Sequence, residues 1–138
     1  MDAHEQVNQY KHDSVNTASP EQLALMLYRA ALAGVEEFQA KIAQEPERGL
    51  DLSKSARDIL AALADNVNLG HAHGQQMRDL YLFCWRTLLR ASTDATTEGV
   101  DSVQAILRNL IAGLEGYQRA NRVKPLKADE PLSINFAG

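Results

Sequence analysis

Residues 19–42 read SPEQLALMLYRAALAGVEEFQAKI, and this stretch decides the fold. Ser19 carries a side chain suited to cap a helix, and Pro20 has its φ already set for a first helical position. Gln22 stands three residues after Ser19, where a capping box places Gln or Glu. At about 100° per residue, Leu23, Leu27, Ala30, Ala31, Gly34, Val35, Phe38 and Ile42 fall within one arc of roughly 140°. The pattern predicts an amphipathic helix over about 20–43. The polar run from Gln44 to Gly49, with Pro46 inside it, ends that helix.

Three more stripes follow. Leu52, Ala56, Ile59, Leu60, Leu63 and Val67 predict a helix over about 52–68, capped by Asp51 or Ser53. Gly70-His71-Ala72-His73-Gly74 reads as a break, because two glycines favour turns. Met77, Leu80, Tyr81, Cys84, Trp85 and Leu88 then share one face of a helix over about 75–91, with Trp85 expected in the core. After Ser92-Thr93-Asp94, a last helix over about 96–121 carries Val100, Val103, Leu107, Leu110, Ile111, Leu114 and Tyr117, with Leu110 expected to be buried. No segment alternates with period two, so no sheet is expected. Four such helices with short connections specify an all-α, antiparallel four-helix bundle.

The bundle occupies residues 19–121. Residues 1–18 form a weakly patterned lead-in with room for a short helix, its apolar side chains being Val7, Tyr10 and Val15. Residues 122–138 hold Pro125 and Pro131 and no helical stripe, and are read as a flexible tail.

The composition narrows the class. With 138 residues, 45% of them hydrophobic, the chain suits one domain with a core of its own. Its 14 basic and 18 acidic residues are mixed along the sequence, so no basic block prepares it for nucleic acid or an anionic membrane. Cys84 is the single cysteine and has no intrachain partner, which suits a reducing cytoplasm. Met1 to Lys11 is polar and lacks the apolar stretch of a signal peptide, and no apolar run is long enough to span a bilayer.

The segment from Gln9 through Pro20 (QYKHDSVNTASP), continued by Leu23, Met26, Leu27 and Tyr28, resembles the opening of the FliS family of flagellin-specific export chaperones. The shared pattern is Tyr10, then Val15, then Thr17-Ala18-Ser19-Pro20, then Leu23 with Met26-Leu27-Tyr28. A weaker likeness returns from Leu80-Tyr81 through Leu88 to Ala91. Arg29 and Ala30 stand where the family often has an acidic residue and glycine. The resemblance implies a cytoplasmic bundle that binds the C-terminal helical region of unassembled flagellin, prevents its premature polymerisation and aids its export. It further implies that the lead-in, through Tyr10 and Val15, covers the client surface and moves when flagellin arrives. The flagellar export apparatus or its regulators are further partners on the same grounds. The alternative is a non-enzymatic adaptor or regulator of that apparatus with another client. Monomer and weak dimer both stay open.

His71 and His73 are two imidazoles without a third ligand nearby, which is short of a zinc site. Cys84 lies between Leu80 and Leu88 on the core stripe, where cysteine acts as a small hydrophobe. No phosphate-cradling loop, nucleophile elbow or metalloprotease helix occurs, so neither catalysis nor a cofactor or metal is expected. More telling are apolar residues away from the stripes: Leu25 and Leu32 on the first helix with Tyr28 at the flank, and Leu82 and Leu89 on the third with Phe83 on the far side. A second apolar line means either a wide core contact or a groove for a partner helix. The resemblance favours the groove, so Tyr10, Val15, Leu25, Tyr28, Leu32, Leu82, Phe83 and Leu89 are the expected partner-binding residues.

Overall fold

Ser19 caps the first helix in both directions: Gln22 N–H donates to Ser19 Oγ at 3.1 Å, and Ser19 N–H donates to Gln22 Oε1 at 2.8 Å. The computed structural model describes residues 19–123 together with Ala3. Helix α1 spans Pro20–Lys41, α2 Gly49–Asp65, α3 Gly74–Asp94 and α4 Val100–Val123, with a 3-10 turn over Pro46–Arg48. No strand occurs among the described residues. Tyr10 and Val15, and the tail from residue 124 onward, lie outside them.

Polar pairs fix the directions of neighbours. Arg29 reaches Glu115 at 2.6 Å, and Glu36 meets Arg108 at 3.6 Å. Gln39 donates to Asp101 at 2.9 Å and accepts from Gln104. Residue numbers rise along α1 as they fall along α4, so the two are antiparallel. Ser92, near the end of α3, donates to Ser53, near the start of α2, at 2.6 Å, which makes that pair antiparallel as well. The core runs down the axis, with Leu27, Val35, Phe38, Leu60, Leu63, Leu88 and Leu107 sealed from water.

Several boundaries differ from the sequence expectation. Helix α2 begins at Gly49, with no side-chain cap, because the 3-10 turn leads straight into it. Ser53 is therefore no cap: it lies buried, accepting from Ser92 and from Arg57 Nε at 2.9 Å. Ser92 and Thr93, which looked like a loop, belong to the last turn of α3. Ser92 Oγ also lies 2.7 Å from Leu88 O, the second acceptor open to its one proton, so its hydroxyl is satisfied inside a helix. The break comes later, at Ala95 with φ 54° and Gly99 with φ 81°, and this delays α4 to Val100.

The stripes need correction too. Leu25 is buried at 6% exposure and Tyr28 at 2%, whereas both were expected off the core. The single-stripe reading fails in the first turns of α1 because Glu21, Leu25 and Tyr28 form a second buried line at i, i+4 and i+7. Conversely, Trp85 and Leu110 pack against the core only half-buried.

Candidate functional site: the open flank between α3 and α4

The helices do not contact one another equally. α2 lies closely against α3 and α1, and α1 against α4, while α3 and α4 touch far less. Among the described residues, one flank of the bundle is thus left open, and the residue types facing it explain why. Gly99 and Ser102 at the start of α4 line a pocket of about 300 Å³ with Phe83, Arg86, Thr87 and Arg90 of α3 and Glu98. By helical spacing, Ile106, Gly113 and Tyr117 continue the Gly99–Ser102 side of α4, with Leu110 closer to the core. Gly99, Ser102 and Gly113 cannot fill the space that leucines at those positions would close. Phe83 is 43% exposed, and Leu80, Ile106, Leu110 and Tyr117 are half-buried. At Gly113 an added Cβ would meet no atom within 4 Å.

The buried tyrosine hydroxyls hold each other. Tyr28 and Tyr81 join hydroxyls at 2.6 Å across the core, their ring centroids 6.3 Å apart. Burial pushes both phenols up, that of Tyr28 being partly offset by its bond to Tyr81, so both stay protonated at neutral pH. Removing one hydroxyl strands the other in the core. Tyr28→Phe and Tyr81→Phe are each expected to cost about 1–3 kcal/mol, and the double variant clearly less than their sum. Urea unfolding of the four proteins checks this, and strict additivity would show that the two hydroxyls are not coupled.

Burial also pushes the Cys84 thiol up to about 12, which keeps it in the poorly nucleophilic thiol form. His71 and His73 sit in the α2–α3 connection with ring centroids 6.5 Å apart. Among the described residues, no group of three His, Cys, Asp or Glu side chains is placed to hold a metal ion. No helix among them is long and apolar enough to cross a membrane.

The residues singled out from sequence divide accordingly. Leu25 and Tyr28 are core residues with no face to offer in the folded bundle. Leu32 and Leu82 are half-buried against the core, and Leu89 is half-buried. Phe83 opens onto the α3–α4 flank, while Leu82 and Leu89 are absent from the pocket it lines. Their separation is rotational: Phe83 lies about 100° further round α3 than Leu82. Sequence reasoning missed the α4 side, Ile106, Gly113 and Tyr117. Two glycines, Gly113 and Gly116, inside an otherwise strong helix were the available signal.

Compared with known families, residues 3–120 match the family model described as Flagellar protein FliS. Comparison with curated proteins and with solved structures yields no match.

Proposed function

The chain belongs to the FliS family of flagellar export chaperones, and from that membership we propose that its client is flagellin, bound through the C-terminal helical region. The chaperone works by occupation: it covers apolar surface that drives polymerisation and releases it at export. The reading places this activity in the cytoplasm, before assembly. The observation that carries the site is the open flank between α3 and α4, where Phe83 is exposed and Gly113 borders empty space. An amphipathic client helix lying there buries its apolar stripe against Phe83, Leu80, Ile106 and Tyr117. Binding orders the client, so part of the contact energy offsets the lost chain entropy. Leu32, Leu82 and Leu89 offer half-buried apolar surface on other faces, to which a long client can extend. Tyr10 and Val15 belong, on the same proposal, to a cap displaced by the client.

Calorimetric titration with flagellin tests the site. With 43% of its surface exposed, Phe83 can add roughly 1 kcal/mol of apolar contact, and an aspartate facing an apolar helix adds a desolvation cost, so Phe83→Asp is expected to weaken binding by about tenfold or more. Its melting temperature should stay near that of the wild type, because the side chain is already exposed. Leu82→Asp with Leu89→Asp reports on the other flank of α3. If that pair abolishes binding in a folded protein while Phe83→Asp does not, the client lies on the α2 side of α3.

A further inference from the structure

Arg86 and Arg90 stand one helical turn apart on α3, both exposed and both lining the pocket of about 300 Å³ beside Phe83. Neither makes an ion pair among the described residues, whereas Arg29, Lys41, Arg48, Lys54 and Arg108 each meet a carboxylate. Two like charges at i and i+4 repel and weaken a helix. Here no described carboxylate pairs with them: Glu98 lines the same pocket without an ion pair to either, so the lining keeps one net positive charge. Thr87 and Ser102 add hydroxyls, and Phe83 an apolar surface. The pocket is a local cationic spot on a chain whose formal net charge is -4.

We propose that this pocket takes a carboxylate of the client polypeptide, an Asp or Glu side chain held by Arg86 and Arg90 while a neighbouring apolar side chain of the client rests on Phe83. The inference rests on the flagellin-chaperone reading and supplies what an apolar flank lacks, a fixed register. An apolar stripe can slide along a groove by a turn, whereas a carboxylate between two guanidinium groups has one place to sit. The pocket volume suits a side chain or two. Two cations on an acidic chain do not make the basic track that a nucleic-acid backbone requires.

The test is calorimetric titration with flagellin at low and high salt. Arg86→Ala with Arg90→Ala is expected to weaken binding by about tenfold or more at low salt. It should also remove much of the salt dependence of the wild type, since screened charge contributes that part. Arg86→Lys with Arg90→Lys should keep the salt dependence at an intermediate affinity, because lysine retains the charge and loses the planar fork. Unchanged affinity in the alanine variant, with the wild type binding flagellin, overturns the pocket and leaves the chaperone reading standing. Absence of flagellin binding by the wild type overturns both. An alanine variant whose weaker binding tracks a lowered melting temperature assigns the arginines to stability and likewise overturns the proposal.

Discussion

Phe38→Ala is expected to cost about 3–5 kcal/mol, the largest single loss among the side chains of the core. Phe38 is completely removed from water near the end of α1. Truncation forfeits the transfer energy of the ring and leaves a cavity that the surrounding helices can only partly close. A domain of this size has about 5–15 kcal/mol of stability in total, so the variant should unfold at a markedly lower urea concentration with an unchanged slope. A loss below about 1 kcal/mol would mean that the helices collapse into the space, and that the ends of α1 pack less firmly than the burial of Phe38 and Ile42 implies.

Gly49→Ala should reverse the usual sign of a glycine substitution. In an exposed helix, glycine to alanine stabilises by up to about 1 kcal/mol. At Gly49 an added Cβ would lie 2.2 Å from Ser92 O and 3.0 Å from Ser92 C, with Ile42 Cδ1 at 3.2 Å. The first two are backbone atoms of the last turn of α3 and cannot turn aside. Relief requires α2 and α3 to part where Ser92 bonds Ser53, so the expected cost is about 3 kcal/mol, at the upper end for overpacking. Gly113→Ala is the internal control, since open space surrounds it and the propensity gain should appear. Equal and favourable changes at both sites would show that α2 and α3 do not approach so closely.

Much of the fold was legible because helix signals are local. The Ser19–Gln22 box and the stripe from Leu23 to Ile42 fixed α1 without reference to any partner. Ser92 shows where local reading stops. Its polarity suggested a loop, but a hydroxyl that can bond both Leu88 O and Ser53 is at home in a buried helix end, and only the neighbouring helix reveals this. Leu25 and Tyr28 fail for a related reason. A stripe assumes one buried face, and the start of α1 buries two. The candidate site was legible only at Phe83, since an open flank is a property of the pair α3 and α4 and neither helix encodes it alone. The cationic pocket was invisible in a chain read for net charge, because the i, i+4 spacing of Arg86 and Arg90 means adjacency only after the helix is wound.

The unequal seams between helices also distribute stability unequally. α2 shares extensive surface with both α1 and α3, whereas α4 is fastened chiefly along its α1 side. Its backbone amides should therefore exchange with solvent through partial openings that leave the other three helices intact. On the proposed docking, a client helix on the open flank gives α4 a second wall and closes that route. Occupancy then registers as rigidity: the free protein is a firm three-helix body with a yielding fourth edge, and the loaded one is uniformly slow to open.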